Sequence, residues 1–278
     1  MQKRSFVVTA AERDTLLIEY LAARLSLSRK KAKQLLDQRA VFVNQRRIWM
    51  AKHVLRRGDN VEVGAAAPVA EKRGSSLPVL FDDAHLLIVN KPAGLLANGP
   101  ASAESRLRDQ TGIMALTAAH RLDRDTSGCL LFSKTPRVGE QIIRLFEAHA
   151  ITKTYHAIVL GEFPPGLQTI TKPLDGRTAL TRIIRLSANR TASHLKLVID
   201  TGRTHQIRKH LAGAGHPVLG DRMYLTAALT NPVLRAVARQ MLHAAQIAFT
   251  HPVTGAAVRV HAPLPGDFLH GLHSVRLT

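Results

Sequence analysis

The nine residues "HRLDRDTSG", His120 to Gly128, hold two aspartates, two arginines and a histidine, and they run directly into the apolar "CLLF". Charge at the mouth of a buried segment can do chemistry. A carboxylate is anionic at neutral pH, can attack an electron-poor carbon or stabilise positive charge there, and can leave again. An adjacent buried arginine would hold it ionised. Ser127, with His120 and Asp123 nearby, also invites a hydrolase triad. However, "TSG" lacks the Gly-x-Ser-x-Gly elbow, and triad members must meet in space rather than in sequence. The glycines of "GAGHPVLGD" and "KPAGLLANGP" supply neither the Gly-Lys-Ser/Thr ending of a phosphate loop nor the dinucleotide fingerprint. Zinc-dependent base deamination needs a cysteine pair, and the chain has the single Cys129.

These residues need a scaffold, and composition sets its size. With 278 residues, 45% of them hydrophobic, the chain can bury the core of one large domain plus a small one. Lysine and arginine number 39 against 20 acidic residues, a formal net charge of +19. So large an imbalance draws polyanions to the surface and makes nucleic acid the leading partner. One cysteine leaves no internal disulfide framework and fits a reducing compartment; in "GCLLF" it reads as a buried small hydrophobe. The start, "MQKRSFVVTAAERDTLL", has no apolar signal core, and no stretch is apolar for the roughly 18 residues of a membrane span. The expectation is a cytoplasmic protein without membrane contact, working as a monomer.

Along the chain, Leu16, Leu17, Tyr20, Leu21 and Leu25 fall on one helical face, and "LSRKKAKQLL" predicts a second helix with Ser28 as N-cap. That helix carries Arg29, Lys30, Lys31 and Lys33 and turns Ala32, Leu35 and Leu36 toward a core. "AVFVNQRRIWM" reads as two short strands around an Asn-Gln turn, and "RRGDNVEV" as a turn into another strand. The small, aperiodic stretch from Gly64 to Ser76 predicts a linker. The expected organisation is therefore residues 1–63, a linker over 64–76, and a second domain over 77–278. Beyond the linker, "HLLIVN" and "HLKLVID" have strand character, "RVGEQIIRLFEAHA" has a helical stripe at Ile142, Leu145 and Phe146, and "RTHQIRKHLAGAG" predicts a helix ended by glycine. Strands and helices mix without regular βαβ alternation, which predicts an α+β fold with a mixed, largely antiparallel sheet and flanking helices.

Two resemblances follow from these segments. Residues Asp14 to Val63, with two helices, the second basic, then short strands and an arginine-rich turn, resemble the S-four-like RNA-binding module. Arg29, Lys30, Lys31 and Lys33 are spaced to contact successive phosphates, and Arg46, Arg47, Arg56 and Arg57 extend the basic surface. The second resemblance runs from about Phe81 to Phe268. "HRLDRDTSG" matches the signature of the RluA-type pseudouridine synthases, flanked by "DDAHLLIVNKPAGLL", "ITKTYHAIVLG", "DTGRTHQIRKHLAGAGHPVLGDRMY" and "LHAAQIAFTHPVTG" followed by "APLP". The ordered set outweighs the bland reading of each member, in which Asp123 and Arg208 form a structural ion pair and Tyr155 is a core tyrosine.

The resemblance implies an enzyme that detaches uracil from ribose, turns it and rejoins it through carbon five, with no metal or other cofactor. It implies Asp123 as the catalytic aspartate and Arg208, closing "HQIR", as its partner. Tyr155 of "KTY" is implied as the tyrosine that packs against uracil, with the carbon-five proton as a further task, and Arg121 as the support of the flipped nucleotide. The implied partner is structured RNA, with large-subunit ribosomal RNA ahead of transfer RNA because of the N-terminal module. A non-catalytic RNA-binding or ribosome-assembly factor on the same fold is the alternative. The chain departs from the family where relatives carry a histidine after "KPAGL" and here "LANGP" stands, in the short segment Gly99 to Ala119, and after "GDRMY", where "LTAAL" replaces the usual glycine.

Overall fold

The computed structural model describes residues 4–37, 41–48, 50–63, 76–226 and 229–277. It divides into two compact units, Met1–Ser75 and Ser76–Thr278. Apart from Ser76, the expected linker of residues 64–76 lies outside the described residues. No helix among them is long and apolar enough to cross a membrane.

The first unit contains β1 (Arg4–Val7), α1 (Leu17–Arg24), α2 (Arg29–Asp37), β2 (Val41–Val43), β3 (Arg46–Arg47) and β4 (Asn60–Val63). Its strands form one antiparallel sheet in the order β1-β4-β2-β3. The apolar face read from the sequence closes its core: Leu17, Tyr20 and Leu21 of α1 and Ala32 and Leu36 of α2 pack with Val41, Val43, Leu55, Val61 and Val63. The Ser28 hydroxyl accepts the Lys31 N–H at 3.3 Å, capping α2 as its sequence predicts. Between β2 and β3 both Asn44 and Gln45 have positive φ, 49° and 64°, the geometry of a tight hairpin turn.

The second unit runs β5 (Val79–Asp82), β6 (Leu86–Lys91), α3 (Ala103–Thr111), β7 (Thr117–Ala118), β8 (Ser127–Ser133), α4 (Pro136–Glu147), β9 (Thr152–Leu160), β10 (Thr169–Ile170), β11 (Thr181–Ala188), β12 (Ala192–Ile199), α5 (Gln206–Gly213), α6 (Pro232–Arg235), β13 (Leu242–Thr250), β14 (Ala257–His261) and α7 (Gly266–Ser274). One sheet follows the path β10-β11-β12-β9-β13-β8-β6-β5, with β14 beside β13 and β7 beside β8. Its pairings are antiparallel except for β8 against β13, so the fold is α+β around a mixed, largely antiparallel sheet.

Both faces of the sheet centre are covered, which explains the unbroken apolar runs "LLIV" and "CLLF". Leu87 and Val89 of β6 and Leu130 and Phe132 of β8 enter one core with Tyr155, Leu197 and Ile207. Leu86, Ile88, Cys129 and Leu131 enter the other, beneath Val138 and Ile142 of α4. All seven residues of β8 are buried. Its first turn is fixed by a close approach. Gly128 has φ +114° and pairs with Ala244 of β13, and a Cβ there would overlap the Ala244 carbonyl. Only glycine permits that backbone contact, and it sets the charged stretch before β8 against the start of β13.

Candidate active site

The polar loop that opens into β8 is held backbone atom by backbone atom. The Thr126 N–H donates to the Asp123 carbonyl at 3.1 Å, closing a turn. The next carbonyl, of Arg124, accepts from the Gly94 N–H at 2.8 Å and from Lys91 Nζ at 3.1 Å. Lys91 is fully buried and also donates to the carbonyls of Pro92 and Leu95, at 2.9 and 2.8 Å. Burial brings its pKa down to about 7. From the other side, Arg239 donates to the Asp125 carbonyl at 3.3 Å, and Gln240 Nε2 donates to the Thr126 hydroxyl at 2.6 Å. Contacts from β6, from the turn at Gly94 and from the segment before β13 therefore fix the loop that carries Asp123.

The Asp123 carboxylate meets the first turns of α5. Arg208 donates from Nη1 to Asp123 Oδ2 at 2.8 Å, and from Nε and Nη2 to Asp221 at 2.6 and 2.9 Å. The guanidinium is thus shared, one bond to Asp123 and a two-pronged grip on Asp221. Side-chain exposure falls along the series: 21% for Asp123, 8% for Arg208 and 0% for Asp221. Burial works against the Arg208 charge, but the hydrogen bonds to Asp221 and Asp123 outweigh it and raise its pKa. Asp221 also accepts the N–H groups of Met223 and Tyr224, so its lone pairs are well used.

Asp123, Tyr155 and Arg208 open on one cleft of about 580 Å³, whose rim also carries Arg121. Tyr155, on β9, is 7% exposed. Burial, and then the negative charge of Asp123, push its phenol pKa upward. A phenol held protonated in this way is a poor proton acceptor and a good wall. Arg121 is exposed at the mouth of the cleft. The predicted RNA-binding residues Arg29, Lys31 and Lys33 lie exposed on α2 of the first unit, Arg29 at 3.6 Å from Glu19. Lys30 belongs to the same helix by its backbone, and its side chain lies outside the described residues.

The hydrolase triad is not assembled. His120 accepts the Leu131 N–H at 3.1 Å, packs against Phe146, and has its pKa brought down to about 3 by burial. Ser127 instead pairs with His243 at 2.9 Å, deep in the fold. Several contributors escaped the sequence reading. Asp221 lies 13 positions after Arg208, and its only signal was its place in "GDRMY". Lys153 lines the cleft, donates to the Thr201 carbonyl at 3.1 Å and lies over the Phe146 ring at 5.2 Å. Burial, opposed by Asp200, lowers its pKa to about 8. Its position two residues before Tyr155 on one strand put it on the same face, which was the available clue.

Comparison with known proteins adds what the geometry alone does not name. A family model described as RNA pseudouridylate synthase matches residues 85–213, a span that includes Asp123, Tyr155 and Arg208. The chain is similar to the ribosomal large subunit pseudouridine synthase D of Zymomonas mobilis, 33% identical over 71% of this chain and 72% of that protein. It is 30% identical to the Xanthomonas campestris protein of the same name, over 98% of this chain and 89% of that one. Among solved structures, human RNA pseudouridylate synthase domain containing 4 superposes with a TM-score of 0.60 at 24% identity, over 72% of this chain and 93% of that one, a likeness of fold.

The shared guanidinium makes a stability prediction. Arg208→Met leaves the fully buried Asp221 without its charge partner and should cost about 3–5 kcal/mol. Adding Asp221→Asn to that variant removes the stranded charge and should recover much of the loss. Urea unfolding of the two variants measures this, and a double variant no more stable than Arg208→Met would mean that Asp221 is not held ionised by Arg208.

Proposed function

The chain belongs to the RluA-type RNA pseudouridine synthases, isomerases that act on RNA, and from that membership we propose that it converts specific uridines of large-subunit ribosomal RNA in the cytoplasm, with Asp123 as the catalytic carboxylate. The observation that carries the reading is the Asp123–Arg208 pair at 2.8 Å, half-sheltered at the floor of a cleft large enough for a nucleoside. Ribosomal RNA as substrate is supported by the names of the relatives, whose likeness in one case extends through the N-terminal module.

Substrate and product of this reaction have the same atoms. The bond from ribose C1′ to N1 breaks, a bond from C1′ to C5 forms, C5 loses a proton and N1 gains one, so no redox partner enters. The residues must then hold the base and the displaced nucleotide, act while the base is detached, and exclude water. The target uridine has to leave its stack, at a cost of a few kcal/mol, roughly, and be held in the cleft. Arg121 at the rim is the group for the displaced nucleotide and its phosphate. Tyr155 supplies the flat wall against uracil, its hydroxyl remaining protonated. Asp123 acts through Oδ1, the oxygen Arg208 leaves free, as covalent nucleophile or as counter-charge while the base is detached. The apolar side chains of Ile199, Ile207 and Leu242, which line the cleft, disfavour water at the sugar meanwhile.

Phosphate contacts from Arg29, Lys30, Lys31 and Lys33 on α2 position the RNA without entering the bond-breaking step. The alternative, an RNA-binding or assembly factor without chemistry, gives no role to a carboxylate that borders a cleft and whose Oδ1 Arg208 leaves free.

Asp123→Asn is nearly isosteric but cannot act as an anion, so it should keep fold and RNA affinity and abolish release of tritium from RNA labelled at carbon five of uridine. Turnover near wild type would sink the catalytic assignment. Changing Arg29, Lys30, Lys31 and Lys33 together to glutamine should flatten the salt dependence of RNA binding, by up to about 0.9 units of slope per lost duplex phosphate contact. The single-turnover rate on saturating RNA should stay nearly normal. An unchanged salt slope would show that α2 does not touch phosphates.

A further inference from the structure

Asp123 has two oxygens, and the second has a polar neighbour. Arg208 holds Oδ2, while Nε2 of His205 stands 3.6 Å from Oδ1. His205 and Arg208 are three residues apart at the start of α5, so one helical turn presents both to the same carboxylate. The His205 backbone is unusual: it caps α5 with φ +57°, in the left-handed region where non-glycine residues are uncommon and which clusters at functional sites. Its ring is fixed from behind. Nδ1 lies 2.9 Å from the Tyr224 hydroxyl, and the two rings meet edge to face at 5.7 Å. Tyr224 is itself set by the Asp221 turn, its N–H bonded to Oδ1 of Asp221, and its ring covers the Arg208 guanidinium at 5.0 Å. Both oxygens of Asp123 therefore lead back, through Arg208 and through His205, to the one turn Asp221–Tyr224.

We infer that His205 is a positioning residue for the isomerisation: its Nε2–H, selected because Tyr224 donates to Nδ1, steers Asp123 Oδ1 toward the bound nucleotide. The inference rests on the function proposed for Asp123. Which nitrogen of a histidine carries the proton is set by the bond the other nitrogen makes. Burial pushes the Tyr224 phenol pKa up, so its hydroxyl keeps the proton it needs to donate. Around the imidazole stand Asp123 from the loop before β8, Arg208 and Lys209 from α5, and Asp221 and Tyr224 from the following turn. Burial lowers the His205 pKa, against the pull of Asp123, so the ring meets Oδ1 as a neutral donor. A neutral donor orients the reactive oxygen without neutralising it, whereas a second cation would bind it tightly. At 3.6 Å the contact is open and can close when substrate fills the cleft.

Two substitutions separate this role from a structural one. Glutamine places a side-chain N–H near the site of Nε2, and asparagine places one only near Nδ1, but asparagine tolerates the left-handed backbone better. The inference ranks His205→Gln above His205→Asn in saturating single-turnover rate; a purely conformational role ranks them in reverse. We expect His205→Asn to lose about 100-fold in that rate, the scale of a misplaced reacting group, with RNA half-saturation essentially unchanged. Tyr224→Phe should show a smaller loss, and no further loss in the His205→Asn background, because the hydroxyl acts through the ring. In the 15N spectrum of the wild-type imidazole, Nε2 should be protonated and Nδ1 bare. Asparagine as fast as glutamine, a normal saturating rate with a raised RNA requirement, a protonated Nδ1, or equal Tyr224→Phe losses in both backgrounds would each overturn the inference. Asp123→Asn run in the same assay distinguishes the failures: if it turns over, the proposed function falls; if it is dead while His205→Asn is fast, only the role of His205 falls.

Discussion

A single guanidinium shared between two carboxylates is the constraint on which the second unit's site depends. Arg208 grips Asp221 with two hydrogen bonds and Asp123 with one. The three groups sum to one negative charge, and the burial gradient points that charge outward, since Asp221 is sealed and Asp123 borders the cleft. Had Arg208 faced Asp123 alone, it could have taken both oxygens in a fork and left neither without a bond to a cation. Asp221 occupies the other edge of the fork and so keeps Asp123 Oδ1 available.

Such a cluster is costly unless the backbone holds its members in register. The sheet does this from several directions. β8 carries the Asp123 loop at the centre of the fold, buried on both faces, and the Gly128–Ala244 approach locks it to β13. Lys91, at the end of β6, binds three carbonyls and so ties the loop to the turn at Pro92–Leu95. Arg239 and Gln240, just before β13, close the loop from the opposite side. Preorganisation here is therefore a property of backbone carbonyls and buried donors, which cost nothing further to orient when substrate arrives.

Much of this was legible in the sequence, and the reasons are specific. Strands β6 and β8 announced themselves as apolar runs because both their faces are buried, and α2 because its capping serine and basic stripe sit at helical spacing. Asp123, Tyr155 and Arg208 were found through the order of motifs, and they do line one cleft. What pattern could not supply was pairing across the chain. Asp221, Tyr224 and His205 each look ordinary alone, and their importance lies in contacts set by how the segment after α5 turns back on that helix. The Ser127–His243 pair shows the converse, since adjacency of Ser127 and His120 in sequence suggested a partnership that the strand register gives to a residue 116 positions away.

The central claim is that the Asp123 carboxylate isomerises uridine in ribosomal RNA. Pseudouridines mapped across the cellular RNA of a strain lacking this protein, complemented with the wild-type chain or with the Asp123→Asn chain, test it most directly. The account predicts one or a few large-subunit positions that vanish in the deletion, return with the wild type and stay absent with the asparagine chain. Identical maps in all three strains, or full restoration by the asparagine chain, would contradict it.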